Sequence, residues 1–243
     1  MKKSKTRIFV SQTISSNLII YIKSKQHHFL KNVLRVRIND EINIFDGITG
    51  EWKSIIISIN RDNIALRVIN NIQKFEKTGD IWLIFAPIKL HRMNLAIQKA
   101  TELGVSKIIP CITDYTNISN INEISLFHNT IEASEQSERM DVPDIGKKTN
   151  LKTLLLEWPK DRKLIFCNEK ITKGDLIINS LLPYKGKNQK WGVLIGPEGG
   201  FSDIETKLIN ETENIISVSL GKRLLRSDTA ITVSLYCIQE LLG

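Results

Sequence analysis

The spacing of apolar and polar positions divides this chain into two textures. In the first third, apolar residues come in short, β-branched, alternating runs, Glu41 to Phe45, Ser54 to Ile59 and Ile64 to Ile69. Breaks fall at Asn39-Asp40, Asp46-Gly47, Gly50 and Arg61-Asp62-Asn63, a pattern that predicts a small antiparallel sheet or barrel. His28 to Arg35 reads as a helical turn within it. The chain then turns polar and charged from Gln73 to Asp80, which marks a domain junction.

Beyond the junction strands and helices alternate. Ile81 to Pro87 reads as a buried strand, and Met93 to Leu103 carries Leu95, Ile97, Ala100 and Leu103 at helical spacing, with Gly104 as its C′ residue. Val105 to Pro110 closes a β-α-β unit. Helices are predicted over Ser125 to Arg139 and Asn150 to Asp161, then a strand over Lys163 to Cys167 leading to Asn168-Glu169. Lys185 to Lys190 is an exposed basic linker.

The last third repeats one motif twice. Val193-Leu194-Ile195 is a short apolar strand, cut off by Gly196-Pro197-Glu198-Gly199-Gly200, because proline lacks a donor and glycine admits positive φ. Ser202 precedes Glu205 by the capping-box spacing, so a helix follows. Ile215 to Leu220 is again strand-like, Gly221 turns the chain, and Ser227 or Asp228 precedes an apolar helix from Ala230 to Leu242. In an open α/β sheet ligands bind at the carboxyl ends of strands, so two such loops side by side make one pocket. GPEGG has neither the Lys-Ser/Thr of a P-loop nor the spacing of G-x-G-x-x-G, and Glu198 would repel a phosphate. That leaves a small-molecule site built from backbone amides, with a plain β-to-α turn as the alternative.

Composition and charge sharpen the picture. The chain has 243 residues, 42% of them hydrophobic, enough for a proper core in one large domain or two modest ones. No apolar run approaches the roughly 20 residues of a membrane span, and MKKSKTRIFV has no signal-peptide core, so a cytoplasmic protein is expected. Cys111, Cys167 and Cys237 are odd in number and far apart, which argues against a disulfide framework or a zinc site. Adjacent His27 and His28 share no face and lack companion ligands, so no metal is expected. Residues 1 to 75 hold 13 Lys and Arg against 5 Asp and Glu, whereas residues 76 to 243 hold 21 of each. All the excess positive charge therefore lies in the N-terminal third, as in a docking module for nucleic acid, unless it is only a solvated basic face.

The pair IGPEGGFSDIE and LGKRLLRSDTA resembles the C-terminal signature of the RsmE family, the ribosomal RNA uridine-N3 methyltransferases of the SPOUT superfamily. Phe9-Val10 after Arg7, the block His28 to Gly47, Ile97 to Pro110 and Glu135 to Pro143 fall in the family's order, so the likeness spans the chain. It implies an α/β fold: a PUA-like β-barrel for RNA binding over residues 1–74 and a SPOUT methyltransferase domain, trefoil-knotted with a mostly parallel sheet, over 75–243. It further implies S-adenosyl-L-methionine as cofactor, 16S ribosomal RNA of the small subunit as partner, and a homodimer. Asn39 stands where the family commonly has glycine, and asparagine tolerates the left-handed conformation there.

Carried over by the resemblance, the cofactor contacts are Ile195, Gly196, Glu198, Gly199 and Gly200 from the first loop, then Leu220, Gly221, Leu225 and Arg226 from the second. Methylation at N3 needs an imide proton removed and negative charge stabilised. Arg226 is the candidate cation, because a guanidinium stays charged and presents a planar fork, with a structural salt bridge as its alternative. Glu198 and Asp228 are the candidate carboxylates for proton removal or ligand orientation, although the family usually has Glu at the position of Asp228. Arg7, His28, Lys31 and Arg35, with Lys89, Arg92 and Arg139, are the candidate RNA contacts; Lys89 and Arg92 equally suit an ordinary charged helix face, and Arg139 a helix-end cation. The competing function is a catalytically silent RNA-binding or ribosome-assembly factor. Intact GPEGG and LLRSDTA favour the enzyme, since RNA affinity alone has no use for two converging glycine turns.

Overall fold

The alternating runs of the N-terminal third pair into a five-stranded sheet, seen here in a computed structural model that describes residues 6–118, 120–169, 176–187 and 189–242. Part of the N-terminal stretch and Asn188 of the basic linker lie outside the described residues. The chain forms two compact units: residues up to Thr78 with Ser134–Val142, and Gly79–Ala133 with Pro143 onward.

In the first unit the strands β1 (Arg7–Phe9), β2 (Ile19–Ile22), β3 (Glu41–Phe45), β4 (Glu51–Ile59) and β5 (Ile64–Gln73) are ordered β1-β3-β4-β5-β2. The β1–β3 pairing is parallel and the others antiparallel, a departure from the fully antiparallel sheet the pattern predicts. The reason is that β1 has only three residues, too few to register as alternation. Ile8 of β1 and Ile20 and Ile22 of β2, from opposite ends of the sheet order, share one core with Ile42, Ile44, Ile56 and Leu66. The sheet therefore closes around that core in the manner of a small barrel. Helix α1 (Ser24–His28) runs into a single π-helical turn, Phe29–Val33, which sends Leu30 into the core. Asn39 takes φ of +69°, the left-handed turn expected of it.

One carboxylate organises the hairpin of this unit. Asp46 accepts from the amides of Ile14, Ile48 and Thr49 at 2.9, 2.9 and 2.7 Å and from the Thr49 hydroxyl at 2.7 Å. Thr49 in turn accepts from the Trp52 indole at 2.9 Å. Gly50 ends the turn at φ +100°, and a Cβ there would lie 2.2 Å from the Gln73 carbonyl oxygen, so no other residue fits.

The second unit is built on a parallel sheet. Its strands are β6 (Ile81–Phe85), β7 (Val105–Ile112), β8 (Asp144–Ile145), β9 (Thr149–Asn150), β10 (Arg162–Cys167), β11 (Lys190–Ile195) and β12 (Ile215–Val218). The order is β12-β10-β11-β6-β7-β8, with β9 also on β7, and every pairing is parallel. Such strands are apolar on both faces because helices cover both. Leu83, Phe85, Ile165, Val193 and Ile195 face α2 (Leu90–Glu102), α5 (Ile177–Leu181) and α7 (Ser227–Leu242). Ile84, Leu164, Phe166 and Leu194 point the other way, toward α4 (Leu151–Leu156) and α6 (Asp203–Glu211). Helix α3 (Glu123–Gln136) begins in this unit, and its last residues belong to the first. At the amino-terminal edge of the sheet Arg162 is 3% exposed and donates to the Asp80 carboxylate at 2.8 Å and to the carbonyls of Asp80 and Trp191 at 3.0 and 2.8 Å. It thereby ties together the starts of β6, β10 and β11.

Asp46 makes the stability of the first unit depend on pH. Burial raises its pKa, but the bonds from Thr49, Ile14 and Ile48 outweigh burial and hold it below the ordinary 3.8. A depressed carboxylate contributes stability above its unfolded value, and that contribution is lost as pH falls through the folded value. Asp46→Asn is therefore expected to lower the melting temperature at pH 7, with the gap to the native protein closing as pH drops below about 4 in calorimetric scans.

Candidate active site

Strand β11 ends at Ile195, and the chain turns through Gly196 to Gly200, with the Gly200 amide donating to the Pro197 carbonyl at 3.0 Å. Helix α6 then starts with the capping box its sequence predicts. The Ser202 hydroxyl accepts from the Glu205 amide at 3.2 Å, and Glu205 Oε2 accepts from the Ser202 amide at 3.1 Å. Glu205, 7% exposed, also accepts from the Asp114 amide at 2.9 Å through Oε1, which fastens the loop after β7 to the same helix start.

The second loop, Ser219 to Arg226, leads into α7, which starts at Ser227, three residues before the predicted Ala230. The Ser227 hydroxyl donates to the Gly196 carbonyl at 2.9 Å. This single bond joins the two glycine loops. They are not neighbours in the sheet, because β10 runs between β11 and β12, so the residues after β10 supply a third wall. The Asn168 amide donates to Val218 at 3.1 Å and holds that wall in place.

Together the three loops enclose a cavity of about 640 Å³. Six residues singled out from the sequence line it: Ile195, Gly196 and Gly200 from the first loop, Leu220, Gly221 and Leu225 from the second. Glu169, Cys167 and Phe201 line it as well. Gly200 has φ of +70°, and a Cβ on it would stand 2.4 Å from Glu169 Oε1, so glycine lets a carboxylate approach the loop backbone. Phe201 fills the space beside Gly196 and meets Phe166 edge-on at 5.1 Å. Burial pushes the Cys167 thiol up to about 12, so it is neutral at physiological pH.

The remaining predicted residues divide. Gly199 packs against Tyr115 outside the lining, where its added Cβ would lie 3.2 Å from the Tyr115 Cβ. Glu198 is ion-paired with Arg92 in the first turn of α2, which brings a predicted carboxylate and a predicted RNA contact together. Lys89 is exposed at the start of that helix. Arg226 is exposed, and among the described residues its guanidinium has no ion-pair partner. Asp228 lies in the first turn of α7 with one buried carboxylate oxygen, Oδ1, that has no hydrogen-bond partner.

In the first unit His28 and Arg35 are exposed, and Lys31 donates to the Asn60 carbonyl at 3.0 Å. Arg7 and Arg139 are turned inward instead. Arg7, its side chain 10% exposed, pairs with Glu51 at 2.8 Å and donates to the carbonyls of Ser134 and Arg139, both at 3.2 Å. The Arg139 side chain is 8% exposed and bonds Asp141 at 3.0 Å. Arg7 thereby ties the barrel to the segment Ser134–Val142 of the same unit, and Arg139 braces that segment from within. Sequence reasoning missed Glu169, whose signal was its place just after a parallel strand, and Ser227, read there only as a cap. Among the described residues no cluster of His, Cys, Asp and Glu is arranged to hold a metal ion. No helix of the described residues is long and apolar enough to cross a membrane.

Comparison with known proteins gives a consistent result. Residues 75–239 match the model of an RNA methyltransferase domain, and residues 22–69 that of an RNA methyltransferase PUA domain. The chain is 34% identical to the ribosomal RNA small subunit methyltransferase E of Rickettsia conorii, over 97% of this chain and 95% of that one. It is 30% identical to the protein of the same name from Buchnera aphidicola, over 100% and 99%. A crystal structure of the Neisseria gonorrhoeae ribosomal RNA small subunit methyltransferase E bound to S-adenosyl methionine superposes with a TM-score of 0.86 at 26% identity, covering 98% of both chains. With a PUA domain ahead of a parallel-sheet methyltransferase domain, and similarity from end to end, the chain belongs to the ribosomal RNA small subunit methyltransferase E family.

Proposed function

We propose that this protein transfers a methyl group from S-adenosylmethionine to N3 of a uridine in 16S ribosomal RNA, on the assembled small subunit. The observation that carries the reading is the cavity closed by two glycine loops and locked by Ser227 on Gly196. Its volume of about 640 Å³ falls within the range of cofactor sites, its walls are largely apolar, and Glu169 sets one carboxylate among them, with Lys222 and Arg223 on the second loop as cations that suit the carboxylate end of the cofactor's tail. That donor set suits an adenosine bearing a cationic tail. The Neisseria relative, bound to S-adenosyl methionine, supports the same choice.

Bound there, the cofactor would supply an electrophilic methyl on a sulfonium. The chain's own residues do the rest. Ile195, Leu220 and Leu225 give the apolar surface, and the glycine loops bring backbone groups close without side chains in the way. Glu169 accepts hydrogen bonds or faces the positive charge. Arg226, exposed and without an ion pair among the described residues, stabilises the negative charge that a uracil oxygen gains when N3 loses its proton. Asp228, with an oxygen lacking a partner, accepts that proton or orients the ligand. Glu198, engaged by Arg92, anchors the first loop.

His28, Lys31 and Arg35 on the first unit, and Lys89 on the second, are proposed to contact RNA phosphates. The charge contrast between residues 1–75 and 76–243 supports a division near residues 74 and 75, a basic docking module ahead of a neutral catalytic one. A homodimer belongs to the same reading: Leu224 on the second loop and Ile204 on α6 are 77% and 80% exposed, apolar surface that a second copy would cover.

Three experiments test the reading. Calorimetric titration is expected to detect S-adenosylmethionine binding, and Gly200→Val to weaken it at least tenfold, since the new side chain meets both a left-handed φ and Glu169. In the second, small subunits lacking the modification are incubated with the cofactor and the RNA is copied by reverse transcriptase. A methyl on N3 blocks the pairing edge, so a new stop is expected at one uridine; its absence would sink the reading. Arg226→Ala should lower the methylation rate about 100-fold, and Arg226→Lys should not restore it, because an ammonium lacks the planar fork.

A further inference from the structure

The cavity occupies the carboxyl ends of the parallel strands, but the amino-terminal edge of the same sheet is also hollowed. Trp82, near the start of β6, and Trp158, after α4, meet edge-on at 5.9 Å in the wall of a hollow of about 360 Å³. A second hollow of about 330 Å³ shares Trp158 and Pro159 with it. The two are lined by Lys107, Lys147 and Lys148 on one side and Lys152 and Lys160 on the other, against Glu157 and Glu213.

Lys107 is the telling residue. It stands in β7, a strand otherwise built of apolar and small residues, and its ammonium lies 4.5 Å from the centre of the Trp82 ring. Its register partner is Asp144, yet the two form no ion pair. Arg162 covers the same ring at 3.8 Å, but its charge is balanced by Asp80. The excess positive charge of the groove therefore rests on Lys107, Lys147, Lys152 and Lys160, set against Glu157 and Glu213. It is a local excess, because residues 76 to 243 carry as many acidic as basic side chains overall.

We propose that this groove docks the phosphodiester backbone of RNA, at the edge of the sheet opposite the cofactor cavity. The inference rests on the reading of ribosomal RNA as substrate. Lys107 and Arg162 both lie over the Trp82 ring, and Trp158 is 9% exposed, so the indoles are already engaged and phosphate oxygens are favoured over a stacked base. The reach is compatible with one strand of RNA. Strand β10, six residues from Arg162 to Cys167, spans about 20 Å, which is roughly six nucleotides at about 3.4 Å each.

The test is the salt dependence of binding to 16S ribosomal RNA and to small subunits by the full-length protein. Lys147→Gln, Lys152→Gln and Lys160→Gln are combined, all at exposed positions, and Lys107→Gln is made separately. The triple variant is expected to bind RNA about tenfold more weakly at about 0.1 M salt, with the slope of log K against log salt reduced by about 2. Unchanged cofactor binding confirms that the protein is folded. An unchanged slope, where the native protein shows a steep one, would overturn the groove alone. Affinity lost for subunits but kept for naked RNA would overturn it in favour of an acidic protein partner. A native protein whose binding ignored salt altogether would overturn both the groove and the RNA-substrate reading.

Discussion

The site depends on one hydrogen bond, from the Ser227 hydroxyl to the carbonyl of Gly196. A parallel sheet places the ends of its strands side by side but leaves the loops beyond them free to splay. Here the loops that form the cavity leave β11 and β12, which are separated by β10. Ser227 bridges that gap at the first residue of α7, so the start of a sixteen-residue helix is fixed to the first glycine loop. The capping box at Ser202 and Glu205 does the same for α6, and through Asp114 draws in the loop after β7. The cavity is thus enclosed by elements whose positions are set by the buried sheet.

Much of this was legible in the sequence where a local rule was at work. The capping box was read from the Ser202 to Glu205 spacing, and Glu41 to Phe45 was read residue for residue from its alternation. Asn39 kept the turn that its tolerance of positive φ allows. What escaped depended on partners remote in the chain. Arg7 has the look of a surface cation, but Glu51 lies 44 residues away and the Ser134 carbonyl 127, and together they hold its guanidinium inside. No periodicity reports such a partnership. Helix α7 was begun too late for a related reason: the residues Ser227 to Thr229 show no apolar repeat, and their helical start is stabilised by the bond to Gly196. Glu169 carried no motif of its own, and its proximity to Gly200 follows from strand order.

Charge divides along comparable lines. The net positive charge of the N-terminal third is a property of its sequence, but which cations face solvent is decided by folding. Arg7 pairs internally, while Arg35 and Arg37 remain exposed. Over residues 76 to 243 the total charge is balanced, yet Glu198 meets Arg92 and Asp80 meets Arg162, so Lys107 and Lys147 near Trp82 stand out against paired neighbours. A neutral composition can therefore coexist with a locally basic surface.

The wall of the cavity contains a cysteine, which on the proposed reading would sit beside an electrophilic methyl donor. A thiolate is the nucleophilic form of cysteine and would be a competitor for that methyl. Burial pushes the Cys167 thiol up to about 12, further raised by nearby Cys237 and only partly opposed by a hydrogen bond with Ser234. At neutral pH the sulfur thus keeps its proton and behaves as a small apolar group. The apolar surroundings that shape the cavity for an adenosine also hold its one thiol among the described lining residues in the unreactive state. Shape and protection against self-methylation follow from the same packing around Cys167.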